Sequence, residues 1–193
     1  ELTYKTILMI ILIVIAVLVV LVFWIIGVYN RMVKLRNQRQ TAFADIDVQL
    51  KQRHDLIPQL VEVVKGYAKH ERELLTQITE ARSAAMGATT IDEKIAAESK
   101  LSGALQGLKV QVEAYPDLKA NQNFLQLQEE LSDIENKLAA ARRYFNAATT
   151  EYNNAIEVFP ANVIAGSFGF HRETLFDLGT ERTELNKPPK ISF

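Results

Sequence analysis

Residues 6–30, TILMIILIVIAVLVVLVFWIIGVYN, contain no charged side chain and decide the first element of the fold. A helix rises about 1.5 Å per residue, so about 20 apolar residues cross the roughly 30 Å hydrocarbon layer of a bilayer. Trp24 and Tyr29 stand near one end of the stretch, where interfacial aromatic side chains are common. A cleaved signal peptide would have a shorter apolar region and a small-residue cleavage site, which FWIIGVYN lacks. The sequence therefore predicts a permanent transmembrane anchor in residues 1–30.

The charges that flank this stretch are asymmetric. Lys5 precedes it, whereas Arg31, Lys34, Arg36 and Arg39 follow it. The positive-inside rule then places everything after the anchor in the cytoplasm. The basic residues could also contact anionic headgroups, or they could only fix the topology. We predict lipid contact for the two interfacial aromatic residues and the four basic ones: Trp24, Tyr29, Arg31, Lys34, Arg36 and Arg39.

The composition excludes several classes of function. The net charge is −1 in 193 residues, so no basic surface indicates nucleic-acid binding. The chain has no cysteine, which removes disulfides, thiolate metal sites and thiol nucleophiles. Its 8 glycines and 5 prolines leave few loops, and the abundant Ala, Leu, Glu, Gln and Lys favour helix.

Apolar residues recur at heptad spacing in residues 31–159, which predicts a helical bundle. The first segment has the tracks Phe43, Leu50, Ile57, Val64 and Ile46, Leu60, Tyr67, Leu74, the second of which Arg53 interrupts. These predict one helix from Tyr29 to Ala85, ended by Gly87 in the left-handed conformation.

Two further helices follow in the pattern. Thr90 and Glu93 form a capping box that opens the second helix, which Pro116 ends. The apolar face of this helix is predicted to consist of Ile91, Ile95, Leu101, Leu105, Leu108 and Val112. Asn121 is the predicted N-cap of the third, which Phe159-Pro160 terminates. Its tracks are Phe124, Leu131, Leu138, Phe145, Tyr152 and Leu127, Ile134, Ala141, Ala148, Ala155. We therefore predict an all-α fold, an N-terminal transmembrane helix followed by an up-down antiparallel bundle of three to four long helices.

Pro58 lies inside the first predicted helix, one turn after His54 and Asp55. A proline there deletes one hydrogen bond and clashes with the carbonyl of residue 54, at about 3 kcal/mol or more. The position is predicted to be a hinge; the alternatives are a tolerated kink and a break between two helices.

No catalytic motif accompanies these residues. His70-Glu71 lacks the second histidine of His-Glu-x-x-His, and no nucleophile elbow or glycine-rich phosphate loop occurs. We predict that the protein is not an enzyme, with no catalytic residue, no metal site and no cofactor.

Residues 160–193 form a third region, an aromatic C-terminal segment and an extended, polar tail. The aromatic segment either folds back over the open end of the bundle or docks a partner or another copy. We assign partner or assembly contact to four residues: Phe168, Phe170, Leu175 and Phe176. With three helices running up, down and up, these residues should lie at the end distant from the bilayer.

Three stretches resemble the LemA family of bacterial membrane-anchored proteins. They are YNRMVKLRNQRQTAFADIDVQLKQRHDLIPQLVEVVKGYAKHE, LQEELSDIENKLAAARRYFNAATTEYNNAIEVFP and NVIAGSFGFHRETLFD, and the resemblance covers residues 4–177. The polar residues Asn37, Asp47, Arg53, Asp55 and Pro58 match as well as the apolar pattern.

The resemblance implies a single-pass protein of the bacterial inner membrane, with a short N-terminus outside, a cytoplasmic helical bundle and no cofactor. Family genes often neighbour those of membrane metalloproteases of the HtpX type, which implies such a protease as a partner in envelope quality control or stress. Our functional prediction is a self-associating scaffold or adaptor. The alternative is a homo-oligomeric protein that organises lipid through its juxtamembrane basic residues.

Overall fold

The computed structural model describes residues 2–68 and 70–177, with side chains from residue 4 onward. The described residues form helices and no strand, which confirms the all-α prediction. The helices are α1 (Leu2–Tyr67), α2 (Arg72–Gly87), α3 (Ile91–Val112), α4 (Pro116–Lys119), α5 (Gln122–Glu157) and α6 (Ala161–Ser167). The predicted extended tail lies outside the described residues.

The N-terminal part of α1 exposes its apolar side chains. Those between Ile7 and Ile26 are exposed over about half of their surface, for example 55% at Ile13. Within the described residues, α1 is the one helix that is long and apolar enough to cross a membrane by length and composition.

The chain divides into two compact units. Within the described residues, the membrane-proximal unit consists of residues 2–41 and 147–173, and the bundle unit of residues 42–146 and 174–177. Each unit has its own buried apolar cluster.

The core of the bundle unit is formed by one face each of α1, α2, α3 and α5, together with Leu118 of α4. The predicted tracks largely account for it, since the apolar face of α3 is buried at Ile95, Leu101, Leu105, Leu108 and Val112. Each fully buried aliphatic side chain contributes roughly 1.5–3 kcal/mol. Apolar burial therefore holds these helices together.

Local sequence signals set several helix boundaries as predicted. Glu93 N–H donates to Thr90 Oγ1, and the Glu93 carboxylate accepts from Thr90 N–H and Thr89 N–H, each at 3.0 Å. These bonds to its charged form lower the pKa of Glu93 to about 2. Asn121 caps α5, because its side-chain oxygen accepts from Phe124 N–H at 3.0 Å.

The prediction of one helix from Tyr29 to Ala85 is wrong. α1 ends at Tyr67, one residue after Gly66, a poor helix former. The next helix begins beyond Glu71, whose carboxylate accepts from Gln111 Nε2 at 2.7 Å and Tyr115 Oη at 3.0 Å. These contacts to the end of α3 hold Glu71 outside a continuous helix.

The break between α1 and α2 changes which side chains of the predicted track are buried. In α2, Leu75 is buried, whereas Leu74 of the predicted track is only half-buried. Tyr67, at the end of α1, is exposed. Gly87 is the last residue of α2 and does not adopt a left-handed conformation, since Ala88 follows it in extended geometry.

In the core of the membrane-proximal unit, α1 packs against the end of α5, against α6 and against Phe170, three residues after α6 ends. Its buried members are Met32, Leu35, Tyr152, Ile156, Ala165 and Phe170. Arg39 Nε donates to Thr149 Oγ1 at 3.2 Å, so the sequence runs in opposite directions along the two facing helices. Burial raises the pKa of Tyr152, with Glu173 acting in the same direction.

Candidate functional site

Pro58 lies within an uninterrupted α1, so the helix is not broken there. The proline has no N–H for the carbonyl of His54, and Arg82 of α2 replaces it, with Nε donating to His54 O at 2.7 Å. Pro58 itself is exposed. The missing intrahelical bond is therefore exchanged for a charge-assisted bond between helices. The hinge assignment stays a prediction.

A buried ionic cluster lies next to this contact and links α1 to α3. Glu98 Oε2 pairs with Arg53 Nη1 at 3.4 Å, and Glu98 Oε1 lies 2.5 Å from His54 Nε2. Arg53 Nη2 donates to Ser102 Oγ at 2.8 Å. Arg53 and Glu98 are 2% and 1% exposed. Burial lowers the pKa of Arg53, and the neighbouring Glu98 carboxylate opposes that shift.

The bonding pattern of this cluster is structural. A carboxylate can only accept, so the Glu98 oxygens accept hydrogen bonds from both Arg53 and His54. The Ser102 hydroxyl accepts from Arg53, with no histidine bonded to it among the described contacts. The arrangement joins helices and lacks the nucleophile–base pair of a hydrolase.

A cleft of about 330 Å³ opens beside the cluster. At its wall, Lys94 Nζ makes two 2.8 Å bonds to the Asp47 carboxylate and lies 5.5 Å from the centre of the Phe43 ring. Residues 2–68 and 70–177 contain no group of three or more His, Asp or Glu side chains placed to hold a metal ion. The expectation of no cofactor stays a prediction.

The predicted lipid-contact residues fall into two groups. Arg39 is 4% exposed and pairs with Glu173 at 3.2 Å, so we remove it from the lipid-facing set. Arg36 is half-buried, with its guanidinium carbon 5.2 Å from the centre of the Phe170 ring. Arg31 and Lys34 are exposed, as Trp24 is, and lipid contact at these residues stays a prediction.

The aromatic C-terminal segment folds back on the chain. Phe170 and Phe176 are buried, in the membrane-proximal and bundle units respectively, whereas Phe168 and Leu175 are exposed. Phe176 packs against Phe43, and Arg142 lies over its ring. The two buried rings therefore act as internal contacts, and the partner-contact prediction remains open for the two exposed side chains.

The expected position of this segment, distant from the bilayer, is wrong. Phe168 and Phe170 make edge-to-face contacts with Tyr29, at ring-centroid distances of 5.0 and 5.6 Å. Tyr29 lies at the C-terminal end of the apolar stretch. The chain reverses direction between α1 and α2, which the heptad pattern did not reveal. This reversal adds one helix to the predicted up-down order, so α5 ends near Tyr29 and not at the distant end.

Two asparagines were missed in the sequence, and they bind the C-terminal segment to α5. Asn153 accepts from Glu173 N–H and donates to Glu173 O, both at 2.9 Å. Asn146 bonds Phe176 in the same way, at 2.8 and 3.0 Å. Each amide pairs with one residue's backbone as a neighbouring strand would. The available signal was their spacing of one heptad, each directly after an aromatic residue of a predicted apolar track, Phe145 or Tyr152.

Residues 42–193 match the LemA family. The chain belongs to the LemA family. It is 29% identical to Protein LemA of Metamycoplasma hominis over 167 residues, which cover 85% of this chain and 76% of that protein. It is 23% identical to Magnetosome protein MamQ of Magnetospirillum gryphiswaldense, over 77% of this chain and 64% of that relative.

Proposed function

We propose that this LemA-family protein is a non-enzymatic, membrane-anchored scaffold that presents its helical bundle to other proteins and to further copies of itself. The observation that carries the proposal is the continuity of α1, in which one helix leads from exposed apolar residues into packed ones. This continuity supports a folded domain that is held directly at a membrane.

The polar interior supports a scaffold over an enzyme. Arg53, His54 and Glu98 bond one another across helices, and Arg82 bonds the His54 carbonyl. These hydrogen bonds join α1, α2 and α3, so the side chains that make them serve the structure, although Arg53 Nε is buried without a partner.

The scaffold is proposed to lie in the bacterial inner membrane with its bundle in the cytoplasm. The basic excess after the apolar stretch supports this orientation. Because the chain has no cysteine, single-cysteine labelling has no background. In spheroplasts, an impermeant maleimide should label Tyr4→Cys, and should label Ser83→Cys only after permeabilisation. The reverse pattern would invert the orientation.

Partner binding is tested from the bundle unit. Val110 of α3 and Tyr144 of α5 are exposed apolar positions, at 65% and 51%. A photoreactive residue at either position should give adducts in living cells, with a second copy or with another membrane protein such as a metalloprotease of the HtpX type. The matched control is the exposed polar position Glu129. If neither apolar position yields more protein adducts than the control, the scaffold proposal fails.

A second candidate is a homo-oligomeric protein that organises lipid. The observation that favours it is the exposure of Arg31 and Lys34 directly after the apolar stretch. Each basic residue near an anionic surface contributes about 1 kcal/mol to attraction. Replacing both with Gln should abolish binding to anionic vesicles if this function is the main one. The same variant should retain its protein adducts under the scaffold proposal, with its orientation checked by the labelling above.

A further inference from the structure

We propose that the corner between α5 and α6 is a second membrane contact, which enters the headgroup region of the bilayer that α1 crosses. We call this set the lipid-facing corner, and it consists of Val158, Phe159, Val163 and Phe168. The proposal rests on the membrane anchoring proposed above. It goes beyond that function by giving the membrane-proximal unit a lipid partner of its own.

The first observation is exposure. Phe159 is 82% exposed, and Val158, Val163 and Phe168 are 56%, 63% and 58% exposed. A single exposed apolar side chain is ordinary, but four close together mark an interaction surface. In contrast, the other side of the same segment packs into the unit, since Ile164, Ala165 and Phe170 are buried.

The second observation is depth. Thr149 of α5 bonds Arg39 of α1, and the two helices run in opposite directions. α5 ends at Glu157, eight residues after Thr149, and Arg31 lies eight residues before Arg39. Because both helices rise about 1.5 Å per residue, the end of α5 lies roughly level with Arg31, and Phe159 follows two residues later, near the level of Tyr29. Phe168 confirms that level directly, with its ring packed on Tyr29 at 5.0 Å.

The third observation is continuity with the apolar surface of α1. Exposed apolar side chains extend along α1 to Ile26, three residues before Tyr29. At about 1.5 Å per residue, the corner lies about 4.5 Å beyond this exposed apolar surface. Interfacial segments insert their apolar side chains roughly 5–10 Å into the boundary between headgroups and acyl chains. The bilayer around α1 therefore reaches the corner.

The fourth observation is charge. Residues 158–170, VFPANVIAGSFGF, contain no charged side chain. The nearest charges on either side, Glu157 and Arg172, pair with each other at 2.8 Å. On α1 the exposed neighbours Arg31 and Lys34 are both basic. A neutral apolar surface beside exposed basic residues fits an anionic lipid surface.

The test uses the full-length chain, reconstituted in vesicles that contain phosphatidylglycerol. Single cysteines carry an environment-sensitive fluorophore at Phe159→Cys and Val163→Cys, in separate samples. Thr150→Cys, exposed on α5 farther from Tyr29, is the matched control. Val17→Cys, within the apolar part of α1, reports anchoring. Iodide quenches from water, and doxyl groups on shallow or deep lipid carbons quench from the bilayer.

We expect labels at 159 and 163 to emit at shorter wavelength than the label at 150 and to be quenched by shallow doxyl lipid. Iodide should quench them about threefold less than the control label. If iodide quenches all three equally while Val17→Cys is quenched by deep doxyl lipid, the corner proposal is overturned and the anchor stands. Protection from iodide without doxyl quenching also overturns it, because another protein surface would then cover the corner. If Val17→Cys is not quenched by doxyl lipid, the anchoring itself fails.

Discussion

The Glu98 cluster of the bundle unit and the Asn153 contact of the membrane-proximal unit use different polar chemistry to join their parts. The bundle unit buries an ionic cluster, in which Glu98 bonds both Arg53 and His54. In the membrane-proximal unit, the neutral amide of Asn153 pairs with the backbone of Glu173. A buried charge that loses its partner retains a large desolvation cost, whereas an unpaired neutral group retains a smaller one. The ionic cluster should therefore be the less tolerant of change.

The largest expected effect is at Glu98. Glu98→Ala leaves the guanidinium of Arg53 buried without its carboxylate, and should lower the free energy of unfolding by about 3–5 kcal/mol. Denaturant unfolding of the full chain in detergent, followed by circular dichroism, measures it. Pairing the change with Arg53→Met should restore much of the loss, and Glu129→Ala on the exposed face of α5 should change little. A loss below 1 kcal/mol for Glu98→Ala would contradict the comparison.

The next effect concerns Arg82 and Pro58. Arg82→Leu removes the charge-assisted bond to the His54 carbonyl and should lower the free energy of unfolding by about 1.5–3 kcal/mol. In a Pro58→Ala background, residue 58 regains an N–H that can bond that carbonyl within α1. The loss from Arg82→Leu should then shrink. Equal losses in both backgrounds would show that the two residues act independently.

The neutral amide contact should give a smaller and more local effect. Asn153→Ala leaves the N–H and C=O of Glu173 without their pair, at about 1–3 kcal/mol. Hydrogen exchange of residues 171–176 should rise, while exchange in α3 should stay as it was. Asn154→Ala, exposed at the next position, is the matched control. Faster exchange throughout the bundle would mean that the contact is not local.

An exposed carboxylate completes the comparison with the smallest effect. The pKa of Glu93 is lowered to about 2 from an ordinary value of 4.5, because its charged form accepts the bonds of the capping box. Its contribution to stability is therefore fully present above about pH 4.5 and is lost as the pH falls through about 2. The difference in unfolding free energy between the wild type and Glu93→Gln should disappear over that window. Asp92→Asn, in the same helical turn, should not reproduce this pH dependence.

Sequence patterns predicted the parts of the fold that depend on local periodicity and capping. The sequence alone predicted three local features, because each depends on residues within a few turns: the apolar face of α3, the Thr90–Glu93 box and the Asn121 cap. The end of α1 at Tyr67 could not be predicted in this way. It depends on Glu71 accepting from Gln111 and Tyr115, which are about 40 residues away.

For each polar contact between helices, the sequence revealed only one of the two partners. Arg53 was visible as an interruption in an apolar track, but nothing in the pattern paired it with Glu98 on α3. Likewise, the cost of Pro58 could be derived from its missing N–H, whereas the replacement donor, Arg82, lies on a helix that was predicted to be part of the same one. Long-range pairing of polar groups requires the fold to be known.

The carbonyl of His54, which Pro58 leaves without a donor inside the helix, restricts how α2 aligns along α1. The apolar pattern of α1 repeats every seven residues, so a partner helix that slid by one repeat would still meet apolar side chains. It would, however, bring Arg82 opposite the carbonyls of residues 47 or 61, which are already bonded within the helix. Pro58 is the only proline in α1. The carbonyl left free by this proline therefore defines one register between α1 and α2, because Arg82 can bond a free carbonyl only in that register.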